Sequence, residues 1–126
     1  MKLAIVGSRG FADYSLFSDV MRNHFSLQPP RFPPDPIDWV CKEIISGGAK
    51  GADSLAARWA AENRVKLTEF LPDWDKYGKA AGPIRNEDII KIADFVLAFW
   101  DGLSKGTANS LSIAKRLKKP TLIIYF

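Results

Sequence analysis

A run of glycines in the middle of the chain has the residue types of an anion-binding turn. Residues 44–59 combine an apolar strand end, a turn with Gly47, Gly48 and Gly51, and a helix start. Glycine permits positive φ and close backbone approach, and the free N–H groups of a first helical turn favour a phosphate or carboxylate. The turn is not a Walker A loop, because Lys50 precedes the last glycine. The alternative is a tight strand-to-helix connection without a ligand.

Two other turns have the same character. Gly7-Ser8-Arg9 follows the first apolar run, and residues 102–107 follow a later one. The carboxyl ends of parallel strands meet at one edge of a sheet, where ligands bind at the switch in strand order. The amides of all three turns can therefore converge on one ligand. The sequence predicts a shared binding site at this edge.

The elements that must position these turns alternate along the chain. Short apolar runs predict five strands: one at 3–6, one that ends at 45, and three at 65–71, 95–100 and 121–126. Helical periodicity predicts helices at 13–25, after the central turn, at 84–93 and at 107–117. Near-continuously apolar strands separated by helices indicate a parallel sheet covered on both faces. We predict an α/β fold, a Rossmann-like three-layer α/β/α sandwich with a mainly parallel sheet of about five strands.

Three segments do not follow this alternation. Residues 28–36 contain five prolines and are predicted to be a surface loop. Residues 37–40 can begin either a strand or a short turn. Residues 72–83 mix aromatic, charged and glycine residues, which is typical of a functional loop. In this segment Trp74 and Tyr77 either stack on a base or only pin the loop.

Length and composition limit the possible classes. The 126 residues predict one domain, 1–126, and 47% hydrophobic with 25% charged residues is ordinary for a globular protein. No apolar run is long enough for a membrane span, and the start has no signal-peptide pattern. The chain has one cysteine, Cys41, which indicates a reducing, cytoplasmic setting. Because it also has only one histidine, His24, we expect no metal site, and we expect no bound cofactor.

The net charge of +4 invites a nucleic-acid interpretation. Four cations at the end of the last predicted helix equal this whole excess: Lys115, Arg116, Lys118 and Lys119. Cations suit that end of a helix, because it carries the negative pole of the dipole. The positive charge therefore has a structural explanation. Nucleic acid is a disfavoured partner, but the charge does not exclude it.

Four motifs in order carry a family resemblance. They are Gly-Ser-Arg after the first strand, Ser-Gly-Gly-Ala-Lys-Gly-Ala-Asp, Ala-Ala-Gly-Pro-Ile-Arg-Asn, and Ala-Asp-Phe-Val-Leu-Ala-Phe followed by Gly-Thr. This set resembles the YspA-type, YpsA-related family of the SLOG superfamily from Leu3 to the final strand. The superfamily is similar in fold to the lonely-guy phosphoribohydrolases and the Smf/DprA DNA-processing proteins. The resemblance implies that the ligand is a nucleotide or a nucleotide-derived signal.

One departure bears on catalysis. Arg85-Asn86 resembles the arginine element of the lonely-guy enzymes, whose Pro-Gly-Gly-x-Gly-Thr-x-x-Glu motif ends in a catalytic glutamate. The corresponding stretch here, 101–110, has Ser110 in the place of that glutamate. A serine cannot serve as the carboxylate. Hydrolysis by this chain would need a carboxylate from Asp53 or Asp101.

Individual residues have both a binding and a structural interpretation. Arg85 at a predicted helix start opposes the dipole by about 0.3–1 kcal/mol, so a phosphate or an acidic neighbour such as Glu87 must compensate. Asp53 either caps its helix or accepts hydrogen bonds from ribose hydroxyls. Thr107 and Asn109 can cap the final helix and also bind phosphate or sugar. Arg9, Lys50 and Lys105 are either solvated or in contact with phosphate.

We therefore predict a nucleotide-binding domain, and three hypotheses follow for its role. The first is a binder or sensor of a nucleotide-derived signal, the second a nucleotide hydrolase or transferase, and the third a DNA-processing accessory protein. A homo-oligomer is possible, and no membrane partner is expected. The candidates for catalysis are Arg85, Asp53 and Asp101. The predicted ligand-binding residues are Gly7, Ser8, Arg9, Gly47, Gly48, Ala49, Lys50, Gly51, Asp53, Arg85, Asn86, Gly106, Thr107 and Asn109.

Overall fold

The alternating pattern folds into one parallel sheet, seen in a computed structural model that describes residues 1–25 and 40–126. The strands are β1 (Lys2–Gly7), β2 (Glu43–Ser46), β3 (Lys66–Glu69), β4 (Phe95–Trp100) and β5 (Thr121–Tyr125). The helices are α1 (Tyr14–His24), α2 (Ala52–Glu62), α3 (Trp74–Tyr77), α4 (Ala81–Ile92) and α5 (Lys105–Arg116). The predicted loop at 28–36 lies outside the described residues, as does the undecided segment 37–40 except for Val40.

The strand order defines the site's position. The sheet runs β3-β2-β1-β4-β5, and every adjacent pair is parallel. The chain leaves β1 toward β2 and β3 on one side and returns to β4 and β5 on the other, so the order switches between β1 and β4. Gly7 at the end of β1 is opposite Phe99 in β4, which places both strand ends at one level. The predicted Rossmann-like sandwich of about five strands is confirmed.

Alternation along β1 divides the core in two. Leu3 and Ile5 belong to a cluster with residues of α1 and α2, whereas Ala4 and Val6 belong to a cluster with residues of α4 and α5. Trp59 lies in the first cluster, 7% exposed, and is thus a core residue. Burial raises the pKa of the Cys41 thiol to about 11, so this cysteine is not a ready nucleophile. No helix within the described parts of the chain is both long and apolar enough to cross a bilayer.

The prediction that residues 72–83 form a long loop is wrong. Most of this segment is helical: α3 is followed by a 3-10 turn at Gly78–Ala80 and then directly by α4. The Asp73 carboxylate accepts a hydrogen bond from the Lys76 N–H at 3.1 Å and caps α3. α4 includes Gly82 and Pro83 in its first turn, where backbone N–H groups have no helical partner, so a proline is tolerated.

The basic end of α5 has structural partners. Arg116 donates to the Glu87 carboxylate at 2.9 Å and so joins α5 to α4. The Lys119 ammonium donates to the Lys91 carbonyl at 3.2 Å, in the last turn of α4. These contacts agree with the structural explanation of the positive charge.

Candidate functional site

A cleft of about 420 Å³ lies at the switch in strand order, and we call it the switch-point cleft. Its wall combines the turns after β1, β2 and β4 with residues of α2, α4 and α5. The described residues that line it are Ile5, Val6, Gly7, Ser8, Arg9, Gly10, Gly47, Ala49, Asp53, Arg85, Asn86, Ile89, Asp101, Ser104, Gly106, Thr107 and Ser110. The three glycine turns thus meet in space.

Most predicted site residues line this cleft, but four do not. Gly48, Lys50, Gly51 and Asn109 are absent from its described lining. A Cβ at Gly48 would meet the Glu69 carboxylate, which shows that this glycine packs against the end of β3. Gly48, Lys50 and Gly51 share the central turn with Gly47 and Ala49, but neighbouring residues of a turn point in different directions.

Gly51 has a packing role behind the wall. Its backbone has φ 79° and ψ −127°, and an added Cβ would collide with the backbone of Ser8 and Arg9. The missing side chain lets the turn after β2 lie directly against the turn after β1. Gly7 similarly permits close approach to Ala52 and to the Phe99 carbonyl. These glycines bring the turns together, as close backbone approach requires.

The Asp53 carboxylate holds the central turn. Its Oδ2 accepts a hydrogen bond from the Ala49 N–H at 3.1 Å, and the residue is 8% exposed. Burial raises the pKa of Asp53, while the N–H groups of Ala49 and Gly47 and the charge of Arg85 oppose this rise. Asp53 therefore holds the turn that precedes its own helix through a side-chain hydrogen bond. The spacing of residues in the sequence did not reveal this contact.

Arg85 crosses from α4 to the same turn. Its Nη1 donates to the Gly47 carbonyl at 2.9 Å, and its Nε donates to Asn86 Oδ1 at 3.0 Å. Burial lowers the pKa of Arg85, the nearby Asp53 raises it, and the positive charge of Arg9 lowers it. The prediction that Arg85 begins a helix is wrong, because α4 starts at Ala81 and the dipole acts mainly on the first turn.

A chain of side-chain amides joins α4 to α5. Asn86 Nδ2 donates to Asn109 Oδ1 at 3.0 Å and to the Gly106 carbonyl at 3.5 Å. Asn86 is 8% exposed and lines the cleft, whereas Asn109 is not part of the described lining and fixes the Asn86 side chain through this hydrogen bond. Asn109 is therefore a positioning residue.

The helices α2 and α5 both present first turns to the cleft without a side-chain cap. α2 begins after Gly51, which has no side chain to cap it. α5 begins after Ser104, whose side chain makes no capping bond to the described residues. By contrast, the Asp13 side chain caps α1. Uncapped N–H groups at the positive end of a helix are suited to an anion.

Asp101 lies at the rim of the cleft and is committed to its own turn. Its Oδ1 accepts hydrogen bonds from the N–H groups of Leu103 and Ser104, each at 2.8 Å. These bonds lower the pKa of Asp101, because they favour its charged form. Its own N–H donates to Ser8 Oγ at 3.3 Å, which ties the turn after β4 to the turn after β1.

Some wall residues were missed, and some candidates lie elsewhere. Ser104 lines the cleft and could have been found as an N-cap residue type before a helix. Gly10 also lines it, directly after Gly7-Ser8-Arg9, and a glycine at that place is itself a turn signal. Trp74 and Tyr77, candidates for stacking, are 54% and 42% exposed and are not part of the described lining.

Gly47→Ala is expected to weaken binding of a phosphorylated ligand about tenfold while changing the unfolding free energy by less than about 1 kcal/mol. An added Cβ would displace the Arg85 guanidinium, the far end of a flexible side chain, from the Gly47 carbonyl. Isothermal titration with adenosine 5′-monophosphate (AMP) and urea unfolding measure the two quantities. Gly82→Ala is the matched control, because its Cβ would make only an ordinary contact with Trp74. An unchanged affinity in Gly47→Ala would contradict the role of Arg85.

Asp53 is expected to make the protein less stable as pH rises above 3.8, the ordinary pKa of this side chain. Because burial raises the pKa of Asp53 in the folded state, the native protein binds more protons than the unfolded chain in the window above that value. The unfolding free energy should fall through this window and level off above the folded-state pKa. Glu69 adds to the rise, and Arg85 opposes it.

The Asp53→Asn variant should lack this component. We expect the difference in unfolding free energy, wild type minus variant, to decrease with rising pH and then become constant. Urea unfolding between about pH 3.5 and 7 measures it. Asp75→Asn, at an exposed carboxylate on α3, is the control. A difference that increases with pH would contradict the assignment.

Fold and site together place the chain among the Rossmann-like α/β proteins, with a cleft at the switch in strand order. The model of the YspA, cpYpsA-related SLOG family matches residues 38–77. The Gene 61 protein of Mycobacterium phage D29 is 30% identical over 127 residues, covering 96% of this chain and 94% of that protein. The chain belongs to the YspA, cpYpsA-related SLOG family, in agreement with its motifs.

Two solved structures of DNA processing protein A (DprA) share the fold. The Streptococcus pneumoniae protein has a TM-score of 0.74 and 19% identity, over 99% of this chain and 50% of its own. The Helicobacter pylori protein, studied for its single-stranded DNA binding mode, has a TM-score of 0.58 and 19% identity, over 98% of this chain and 64% of its own. This chain thus spans less than two thirds of either protein, and identity at this level shows the fold alone.

Proposed function

We propose that the protein binds a nucleotide or a nucleotide-derived signalling ligand in the switch-point cleft and does not turn it over. The observation that carries the proposal is the pair of arginines on the cleft wall, Arg85 and Arg9, of which Arg85 is also acted on by the charge of Asp53. A phosphate between the two arginines would be attracted by both positive charges. It would also receive charge-assisted hydrogen bonds, which are stronger than neutral ones.

The wall around these arginines suits a phosphate further. The N–H groups at the start of α5, near Gly106 and Thr107, lie on the same cleft and lack a side-chain cap among the described residues. The cleft volume of about 420 Å³ is near the lower end of the range for small-molecule sites. This size suits a single nucleotide better than a polymer enclosed in the cleft.

The carboxylates of the described lining argue for binding rather than hydrolysis. Asp53 accepts from the Ala49 N–H, and Asp101 accepts from the N–H groups of Leu103 and Ser104. The bonds from Leu103 and Ser104 lower the pKa of Asp101, which makes it a weaker general base, and Asp53 is 8% exposed and holds the central turn. Ser110, 2% exposed, lines the cleft at the place of the lonely-guy glutamate and supplies no carboxylate.

Native mass spectrometry tests the proposal. The purified protein is weighed intact and then denatured, and any small molecule that is released is identified. A nucleotide or derivative recovered intact at one equivalent per chain supports it. If the protein is empty, titration with AMP, GMP, CMP and UMP follows, and binding of any of them below about 1 mM supports it.

Two results would overturn the proposal. One is the absence of any nucleotide binding at that concentration, and the other is repeated release of base or phosphate, which would establish an enzyme. Salt-sensitive binding to oligonucleotides without binding to mononucleotides would instead favour the DNA-processing alternative. The same spectra report the number of copies in the assembly and so distinguish a monomer from a homo-oligomer.

A further inference from the structure

We propose that the switch-point cleft recognises the phosphorylated sugar of its ligand and does not read the base. This inference rests on the proposed function and adds which part of the nucleotide determines affinity. It predicts a protein that responds to a ribose phosphate with little regard to whether a purine or a pyrimidine is attached.

The described lining of the cleft has no surface on which a base could stack. None of the described residues that line the cleft is aromatic. Phe11, next to the turn after β1, is buried and stacks on Phe99 with centroids 4.5 Å apart, and Phe126, 49% exposed, packs on Phe11 with centroids 4.8 Å apart. Phe126, Trp74 and Tyr77 are exposed, but none of them is part of the described lining. Proteins that hold bases commonly stack them on aromatic side chains.

The side-chain amide in the described lining that could read a base edge, Asn86, is already hydrogen-bonded within the protein. Asparagine reads adenine through a pair of hydrogen bonds, one donated and one accepted. In this cleft Asn86 Oδ1 accepts from Arg85, and Asn86 Nδ2 donates to Asn109 and to the Gly106 carbonyl. Its donor and its acceptor are both used to hold the arginine and α5. A base that approached Asn86 would have to break this network.

Two carboxylates of the described lining could accept a hydrogen bond from the exocyclic amino group of a base. Asp53 and Asp101 both accept from backbone N–H groups of the cleft turns. The other polar side chains are the arginines and small hydroxyls, including Ser8 and Thr107. Hydroxyl groups both donate and accept, so they suit sugar hydroxyls and do not distinguish one base from another.

A binding panel tests the inference. Ribose 5-phosphate, AMP, GMP, CMP, UMP and adenosine are each titrated into the full chain by calorimetry. We expect the four nucleotides to agree within about threefold and ribose 5-phosphate to bind within about tenfold of them, because a specific base contact would change affinity by about tenfold or more. Adenosine should bind at least about tenfold more weakly than AMP.

The contradicting outcomes separate two failures. A preference for one base of about tenfold or more, or nucleotide binding without ribose 5-phosphate binding, would overturn this inference while leaving the proposed function intact. Binding of none of the phosphorylated compounds would overturn both.

Trp74→Ala supplies a second readout. The side chain is 54% exposed, so its removal should leave the fold intact. We expect the ratio of AMP affinity to ribose 5-phosphate affinity to stay the same in this variant. A fall of about tenfold in AMP affinity alone would show that the base stacks on Trp74, and the inference would be wrong.

Discussion

Replacing Arg85 with alanine is expected to weaken AMP binding by about 10- to 100-fold and to leave the affinity for adenosine nearly unchanged. Hydrogen bonds to a charged group contribute about 1.5–3 kcal/mol, which corresponds to that range. Arg85 is fixed by the Gly47 carbonyl and by Asn86, so little side-chain freedom is lost when phosphate binds. Calorimetric titration of both ligands measures the effect.

Two further variants give this prediction its controls. Arg22→Ala removes an exposed arginine of α1 that pairs with Asp19, so it should not change either affinity. Arg85→Lys keeps the charge without the fork of donors and should have an intermediate affinity. Equal losses for AMP and adenosine in Arg85→Ala would show that Arg85 supports the fold of the cleft rather than binding phosphate. Urea unfolding of the same variant reports that structural contribution directly.

Gly51→Ala is expected to lose about 2–5 kcal/mol of unfolding free energy or to fail to fold. A residue with a side chain costs roughly 1–2 kcal/mol at such a positive φ, and overpacking adds about 1–3 kcal/mol. Here φ is 79°, and the added Cβ would collide with the backbone of Ser8 and Arg9, which cannot rotate away as a side chain can. The two turns that form the cleft would have to separate.

Urea unfolding measures this loss, with Gly82→Ala as the control. Gly82 lies in the first turn of α4, and its Cβ would meet only Trp74 at an ordinary distance, so that variant should be as stable as wild type. A Gly51→Ala protein within about 0.5 kcal/mol of wild type would contradict the close approach of the two turns. Expression of insoluble Gly51→Ala beside soluble Gly82→Ala would agree with it.

The sheet was predictable because its signal is local. β4 is a continuous apolar run at 95–100 that needs no knowledge of its neighbours, and its bounds match the prediction. The meeting of three glycine turns followed from the topology of parallel sheets. α3 and the start of α4 were missed, because Gly78, Gly82 and Pro83 suggest a loop while the cap from Asp73 that starts a helix is a weak signal.

The hydrogen bonds within the site could not be predicted from the sequence. Asp53 and Asp101 were candidates for sugar binding or catalysis, but each carboxylate accepts from the backbone of a nearby turn. Such bonds depend on turn dihedrals, which residue types alone do not determine. Asn109 is one turn from Gly106 on α5, yet it contacts Asn86 rather than forming part of the described cleft wall. Its role depends on how α4 and α5 are packed.

The most direct measurement is a titration of the ¹⁵N-labelled protein with AMP, followed by amide NMR spectra. We predict that the largest shift changes are at 8–10, at Gly47 and Ala49, and at 106–107, together with the Arg85 Nε–H signal, because these groups line the switch-point cleft. Changes concentrated instead at Lys91 and 115–119, at the other end of α4 and α5, would contradict it, as would spectra that do not change.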